Sequence, residues 1–229
     1  MAVAPARTPA TRTLSEAESK AYLAPFGVPF AEERLVTTPD EAREALAEFG
    51  VPVVAKLCGT QVAHKTERGL VRLGLTGGDA VAEATAELLA AATPDDGATG
   101  VLIAPMLSGA RELIAGVATD PQFGRTVLLG LGGVLAEALA DVTVRLAPIS
   151  KVDAEEMIED LSSQAILGAF RGEPALDRSS VIDVLLALSD VATSTPELVS
   201  VDLNPLIICD GRVVAVDALV ELTIQDPPR

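Results

Sequence analysis

The chain has 229 residues, 49% of them hydrophobic and 22% charged, which argues against a disordered protein and allows one large or two small domains. Its formal net charge of -16 argues against nucleic-acid binding, which needs a broad basic surface. No apolar run approaches the roughly 20 residues that cross a membrane, and the first residues lack the apolar segment of a secretory signal. Cys58 and Cys209 are far apart in sequence, so we interpret them as reduced thiols of a cytoplasmic protein.

Helix and strand signals alternate through the first half of the chain. We expect residues 1–13 to form a disordered tail. Ser15 and Glu18 make a capping box at the start of a helix, and Thr38 begins a second helix that ends at Gly50. The predicted order is a helix over 14–26, a strand over 34–37, a helix over 39–49, strands over 51–57 and 70–75, a helix over 78–92 and a strand over 101–107.

The second half is richer in strands. Asp120 and Gly124 bound a predicted turn, and an Asp-Gly pair joins the last two predicted strands. The predicted order is strands over 112–119 and 126–133, an Ala- and Leu-rich helix, a strand over 142–149, a helix from Asp153, a helix over 178–194 and strands over 199–208 and 212–219. This pattern predicts an α+β fold with two subdomains, residues 14–103 and residues 104–225, and a ligand cleft between them.

A basic segment lies between the two strands over 51–57 and 70–75. It contains Lys56, His64 and Lys65, and a glycine bounds the polar loop at each end. Ammonium groups and loop N–H groups suit a polyphosphate. The alternative interpretation is a solvated hairpin with ordinary surface lysines.

Acidic and amide side chains cluster near the C-terminus. Asp202 and Asn204 are two residues apart on a predicted strand, so both point to one face, and Asp217 on the paired strand can project to the same face. Carboxylate and amide oxygens are ligands that Mg²⁺ prefers. These residues therefore predict a Mg²⁺ site, and the alternative is a set of polar groups that cap the hairpin.

The ordered segments VPVVAKL, AHKTERGLVRLGL, ELIAGVATDPQFG, LLGLGG, DVTVRLAPI and VDLNPLII resemble the ATP-grasp beta subunit of ADP-forming acyl-CoA synthetases, which are relatives of succinyl-CoA ligase. The resemblance covers about residues 14–220. It implies the ATP-grasp fold, in which two α+β subdomains grip a nucleotide. The site residues that it implies are Lys56, Lys65, Leu107 and Glu112 for nucleotide binding, Gly130, Gly132 and Gly133 for a phosphate loop, Asn204, Asp217 and Asp202 for the metal, and His64 and Arg145 for catalysis.

The resemblance further implies ATP or ADP and Mg²⁺ as cofactors, and the interconversion of acyl-CoA, ADP and phosphate with acid, CoA and ATP. His64 would relay the phosphoryl group. A separate alpha subunit would carry the CoA-binding domains and the phosphohistidine loop, and a heterotetramer is the expected assembly. Ala104 and Pro105 depart from the family, which often has Gln-Glu there to hold adenine and ribose. This departure motivates an alternative, a catalytically degenerate module that regulates or scaffolds a partner enzyme. Glu112 could also be an ordinary surface carboxylate, His64 could only hydrogen-bond phosphate, and Gly132 and Gly133 could simply make a turn.

Overall fold

The computed structural model describes residues 10–50, 52–62, 65–107, 109, 111–133, 140–170 and 172–224. In these residues the strands are β1 (Thr11–Thr13), β2 (Arg34–Val36), β3 (Val53–Gly59), β4 (Val71–Leu75), β5 (Ala98–Pro105), β6 (Glu112–Asp120), β7 (Gly124–Leu131), β8 (Val142–Leu146), β9 (Leu198–Cys209), β10 (Arg212–Ala215) and β11 (Leu219–Thr223). The helices are α1 (Glu16–Leu23), α2 (Pro39–Phe49), α3 (Gly78–Ala91), α4 (Lys151–Glu159), α5 (Gln164–Leu167) and α6 (Arg178–Ser194).

The smaller sheet is antiparallel, with the strand order β2-β5-β3-β4. Alternate residues of β3, such as Ala55 and Leu57, are fully buried in one core with side chains of α2 and α3. Because side chains alternate along a strand, Lys56 points to the opposite face, away from these helices. The helices thus cover one face of the small sheet, and the other face is available for a site.

The larger sheet has seven strands in the order β1-β11-β9-β6-β7-β8, with β10 paired to β9. Its core contains Leu113, Ala115 and Val117 of β6 together with buried residues of α4 and α6. Thr143 on β8 donates to the carbonyl of Met157 on α4 at 3.0 Å, so the helices also cover one face of this sheet. Two sheets with helices packed on them confirm the predicted α+β class.

Residues 11–23 pack with the larger sheet, which corrects the end of the predicted tail and the subdomain boundary, whereas residues 1–9 of that tail lie outside the described residues. Residues 11–13 form β1, which pairs antiparallel with β11 and has no hydrophobic signal of its own. The Leu14 N–H donates to Val220 at 2.9 Å, and Leu14 and Leu23 are buried in the large-sheet core. The small-sheet core draws its buried residues from Val36 to Ile103.

The last predicted strand, over 212–219, is in fact broken after Ala215 and resumes as β11. The Ala215 N–H donates to the carbonyl of Pro29, and the Val216 N–H donates to Pro205, the next partner on β9. Pro205 has no N–H to return, so the β9–β10 pairing ends here. Asp217 therefore lies in a connection and not in a strand. Cys58 and Cys209 are both free, and in the described ranges no helix combines the length and apolar composition that crossing a membrane requires.

Candidate functional site

A cleft of about 610 Å³ lies between the uncovered face of the small sheet and the opposing face of the large sheet. The end of β3 and the loop after it line one side, with residues 58–62, Lys65 and Thr66. The other side is lined by Thr13, Leu14, Glu16, Asp202, Asn204, Asp217, Ala218 and Leu219. Both halves of the molecule contribute polar side chains, so a ligand bound here would contact both sheets.

The acidic wall is built on β9. Val201 and Leu203 are buried, so the intervening Asp202 and the following Asn204 point out of the core and into the cleft. The connection before β11 places Asp217 beside them, and the Ala218 N–H donates to Asp217 Oδ1 at 2.9 Å. The structure thus brings together the three residues that were predicted to share a face.

Both carboxyl groups of this wall have raised pKa values. For Asp202 the cause is first the loss of hydration inside the cleft and second the negative charge of Asp217. For Asp217, burial and the charge of Glu16 raise the pKa, and the ammonium groups of Lys56 and Lys65 oppose them only partly. A cation that binds beside these two carboxyl groups would therefore stabilise their ionised forms.

Two lysines reach this wall from the small sheet. Lys56 on β3 donates from Nζ to the carbonyl of Val216 at 2.6 Å and to Glu16 Oε1 at 3.0 Å. Lys65, in the loop after β3, donates to Asp217 at 3.1 Å and also bonds Glu16 Oε2. The two predicted phosphate lysines therefore extend from the small sheet to the acidic wall and to Glu16 beside it. They are not the solvated surface lysines of the alternative interpretation.

Glu16 is a site residue that sequence reasoning missed. Its side chain is only 2% exposed, and it also accepts from Lys20 Nζ at 2.8 Å. Burial alone would raise its pKa, but the charges of Lys56, Lys20 and Lys65 outweigh burial and hold the pKa of Glu16 well below its usual value. The carboxylate is therefore ionised and shared by three ammonium groups.

A signal for Glu16 is present in the sequence. Glu16, Ser19, Lys20 and Leu23 follow the i, i+3, i+4, i+7 spacing that places residues on one helix face. Leu23 is the buried end of that face, and all four side chains are buried in the structure. A charged pair on the apolar face of a helix is unusual, since such charges are normally exposed unless paired.

The loop that carries Lys65 is held by a fork of hydrogen bonds. Arg68 donates from both terminal nitrogens to the buried carboxylate of Asp96, at 2.6 and 2.9 Å. The Gln61 N–H donates to the Asp96 carbonyl at 3.0 Å, which ties the other end of the loop to the same turn. His64 lies outside the described residues, so its proposed role remains a prediction.

Glu112 and the glycine segment lie together, farther along the uncovered face of the large sheet. The Gly132 N–H donates to the Glu112 carbonyl at 2.8 Å, and a Cβ on Gly132 would lie 3.0 Å from Glu112. Gly133 has φ +74°, a conformation that favours glycine. Because Gly116 pairs with Asp202, Glu112 lies four residues along β6 from the acidic wall, or roughly 13 Å. A long ligand could contact both.

The structure does not bring Arg145 or Leu107 to the acidic wall. Arg145 lies on β8 on the face that the helices cover, and it donates to Asp160, which caps the C-terminus of α4, at 2.6 Å. This position does not support the expectation that Arg145 lies near a transferred phosphate. Leu107 is half-buried in the connection from β5 to β6, which joins the two sheets. Gly130 is buried against Val142 and Ile114, so a side chain there would clash.

The donor set of the acidic wall fits Mg²⁺. Asp202, Asp217 and Asn204 offer hard oxygen atoms, and the Lys65 ammonium group already stands against Asp217 as a cation. No group of three His, Cys, Asp or Glu side chains in the described part of the chain is arranged to hold a metal alone. Mg²⁺ commonly uses one or two carboxylates and completes its coordination with phosphates and water, which this wall would allow.

The sequence matches the model of the ATP-grasp domain family over residues 6–222. The chain belongs to the ATP-grasp family. The predicted fold, two α+β subdomains that form a cleft, is thereby confirmed.

Individual ATP-grasp relatives are similar over almost the whole chain. The beta subunit of an ADP-forming acetate–CoA ligase from Pyrococcus furiosus is 36% identical, with 90% of each chain covered. An ADP-forming acetate–CoA ligase from Archaeoglobus fulgidus is 35% identical over 88% of this chain but only 30% of its own length.

Solved structures of the dinucleotide-forming acetyl-coenzyme A synthetase 1 from Candidatus Korarchaeum cryptofilum have the same ATP-grasp fold. One, in complex with coenzyme A and Ca-AMPCP, has a TM-score of 0.86 at 34% identity and covers 92% of this chain and 93% of that chain. Another, with coenzyme A and Mg-AMPPCP, has its phosphohistidine segment pointing towards the nucleotide-binding site. Its TM-score is 0.79 at 35% identity, with the same coverage of 92% and 93%.

Proposed function

We propose that this chain is the nucleotide-binding beta subunit of an ADP-forming acyl-CoA synthetase, which interconverts acyl-CoA, ADP and phosphate with acid, CoA and ATP. One observation carries the proposal. Lys65 of the loop after β3 lines a single cleft with the oxygen donors Asp202, Asn204 and Asp217, and Lys56 contacts this cleft through its hydrogen bond to the lining residue Glu16. Phosphoryl transfer depends mainly on positioning and on neutralising the charge of the phosphates, and these residues suit both tasks.

Each side of the cleft has a distinct task in this proposal. Lys56 and Lys65 bind phosphate oxygens, and Asp202, Asn204 and Asp217 would hold Mg²⁺. When bound, Mg²⁺ supplies charge neutralisation on the phosphates. The rest of the nucleotide is proposed to contact two regions beyond the acidic wall. One is the β5–β6 connection with Leu107, and the other is the uncovered face of the large sheet with Glu112 and the segment of Gly130, Gly132 and Gly133.

The acyl and CoA chemistry is assigned to a partner. The coverage of 90% of a relative named subunit beta supports a separate alpha subunit, and the longer Archaeoglobus fulgidus relative supports a link to further domains. A heterotetramer and a phosphoryl relay through His64 belong to this proposal and rest on the sequence resemblance. His64 directly precedes Lys65, so the relay would act close to the phosphate lysines.

Calorimetric titration of the purified chain with ADP in Mg²⁺ tests the nucleotide site. We expect Mg²⁺-dependent binding by the wild type and about 100-fold weaker binding by Asp217→Asn, since about 2.7 kcal/mol is a reasonable cost for losing a metal-ligating charge. Asp183→Asn on the exposed side of α6 removes the same charge far from the cleft and should bind like the wild type. Absence of binding by the wild type at millimolar ADP would reject the nucleotide site in the isolated subunit.

Ala104 and Pro105 favour a second candidate, a degenerate module that regulates a partner enzyme. These residues end β5 and pair with Val54 and Val53 of β3. The Ala104 side chain cannot hydrogen-bond a base, and Pro105 has no N–H to donate. ATP formation by the chain reconstituted with its alpha subunit, abolished by His64→Ala, would reject this candidate.

A further inference from the structure

One buried carboxylate neutralises both proposed phosphate lysines. Glu16 Oε1 accepts from Lys56 at 3.0 Å and from Lys20 at 2.8 Å, and Glu16 Oε2 bonds Lys65. The exposed fractions of the Glu16, Lys56 and Lys65 side chains are 2%, 15% and 16%, so water screens these contacts poorly.

The contacts cross the cleft. Glu16 belongs to α1, whose Leu23 packs in the large-sheet core, whereas Lys56 and Lys65 belong to β3 and its loop in the small sheet. Glu16 is therefore not a local helix partner of these lysines. It occupies from the opposite side the hydrogen-bond donors that the proposed function assigns to phosphate.

Among the described residues, the charged side chains in and beside the cleft carry no excess of positive charge. Lys20, Lys56 and Lys65 contact Glu16, Glu33 and Asp217, an equal number of acidic groups. Asp202 adds a further carboxyl group to the same cleft. A polyanion that enters without a metal would compete with Glu16 for the lysines and would also meet this negative charge.

A magnesium complex of a nucleotide meets a smaller penalty. Bound Mg²⁺ cancels part of the negative charge of the nucleotide. The electrostatic repulsion from a nearby carboxylate is proportional to the charge of the ligand, so it is weaker for the magnesium complex. The same carboxylate should thus weaken binding of metal-free nucleotide more than binding of its magnesium complex.

We propose that Glu16 is an internal counter-anion of the phosphate lysines that makes nucleotide binding depend on magnesium. This inference rests on the proposed nucleotide-binding function. Glu16 acts through Lys56 and Lys65 and is a specificity-determining residue, with no contact to the reacting atoms required.

Binding of ADP to the wild type and to Glu16→Gln, measured calorimetrically with Mg²⁺ and with a chelator, tests the proposal. Glutamine keeps the size and one oxygen acceptor of Glu16 but removes its charge. We expect metal-free ADP to bind about tenfold more tightly to Glu16→Gln than to the wild type, and the magnesium complex to change by less than about threefold. The dependence on Mg²⁺ should therefore shrink.

Glu33→Gln is the matched control. Glu33 contacts Lys20 at 2.5 Å, and no contact joins it to Lys56 or Lys65 among the described ion pairs. Glu33→Gln removes one negative charge, as Glu16→Gln does, but from beside Lys20 and not from beside the two phosphate lysines. The affinity for metal-free ADP should therefore change by less than about twofold. An equal gain in Glu33→Gln and Glu16→Gln would overturn the specific role of Glu16.

A double variant guards against loss of folding, because Glu16→Gln leaves three ammonium groups with fewer partners. Glu16→Gln/Lys20→Met removes one charge of each sign and still frees Lys56 and Lys65. The same tenfold gain in metal-free affinity supports the proposal, and unchanged metal-free affinity in both Glu16 variants overturns it.

Inorganic tripolyphosphate separates this inference from the proposed function. It presents phosphate charge without a base or ribose, so tighter metal-free binding by the Glu16 variants than by the wild type supports the counter-anion, and equal binding overturns it. Failure of the wild type to bind ADP in Mg²⁺ would instead reject the nucleotide function. The tripolyphosphate comparison does not depend on that result, because it uses no nucleotide.

Discussion

Arg111 and the lysines of the cleft are both cations withdrawn from solvent, but their partners differ. The Arg111 side chain is 3% exposed and donates to the carbonyls of Ile166, Gly168 and Pro174 at 3.1, 2.8 and 2.7 Å. Its Nε donates to Glu173 at 2.9 Å. Most acceptors of this guanidinium group are therefore backbone atoms of one chain segment.

The partners of the cleft lysines are mainly side-chain carboxylates from other elements. Lys65 contacts Glu16 and Asp217, and Lys56 contacts Glu16 and one backbone carbonyl. A phosphate oxygen can replace a carboxylate without any change in the chain path, whereas backbone carbonyls around Arg111 can leave only if the segment over 166–174 moves. The carbonyl-bound Arg111 therefore stabilises the fold, whereas the carboxylate-bound lysines of the cleft are suited to bind an anionic ligand.

Arg111→Met should have the largest effect on stability. The substitution removes the buried guanidinium donor that holds three carbonyls and Glu173, and separating a buried charged group from its partners costs about 3–5 kcal/mol. Urea unfolding measures this loss. Affinity for ADP in Mg²⁺ should stay within about twofold of the wild type for the fraction that remains folded.

Arg178→Met is the control for this prediction, because its side chain is 48% exposed and contacts Gln164 and Glu159 on the surface. We expect a change of less than about 0.5 kcal/mol in its unfolding free energy. A similarly small loss for Arg111→Met would mean that water replaces the carbonyl contacts and would remove the distinction between the two kinds of cation.

The predictable parts of the site are those set by local periodicity. The period of two along a strand correctly placed Asp202 and Asn204 on one face, and the same rule accounts for the position of Lys56 opposite the buried Ala55 and Leu57 in the structure. The capping boxes at Ser15 and Thr38 also begin helices as predicted. These features depend on neighbours in sequence, so the sequence alone carries them.

The remaining features depend on contacts between distant segments. β1 forms because β11 offers a free edge, and β10 ends before Asp217 because Pro205, its next partner on β9, has no N–H to return to Val216. Glu16 reaches Lys65 only because α1 packs on the large sheet. Nothing within the local sequence specifies such partners, and the resemblance to a family supplied residue roles but not these contacts.

Arg68→Met tests a cation that is partly exposed but pairs with a buried carboxylate, that of Asp96, and so holds the Lys65 loop. Hydrogen bonds from Arg68, followed by those from Thr93, hold the pKa of Asp96 well below its usual value. A lowered pKa in the folded state contributes stability above the unfolded pKa of about 3.9, and that contribution is lost as pH falls further. The stability difference between wild type and Arg68→Met should thus be largest near neutral pH and shrink below about pH 4.

Arg72→Met is a close match for this comparison. Its side chain is 37% exposed, against 36% for Arg68, but it pairs with Glu87, which is 54% exposed. Exposed ion pairs contribute little, so we expect a small and nearly pH-independent effect in urea unfolding. A constant stability difference for Arg68→Met across the same pH range would contradict the assigned role of the Asp96 carboxylate.

Arg145→Met should have the smallest effect. Arg145 also binds carboxylates, those of Asp160 and Glu156, but these are 54% and 55% exposed and lie on the helix-covered side of the large sheet. An exposed pair contributes about 0–1 kcal/mol, so unfolding by urea should change by no more than that, and affinity for ADP in Mg²⁺ should stay within about twofold. A tenfold loss of affinity would instead place Arg145 in the nucleotide site. The expected small effect would show that carboxylate partners and burial must coincide, as they do at Lys56 and Lys65, before the partners of a cation indicate its function.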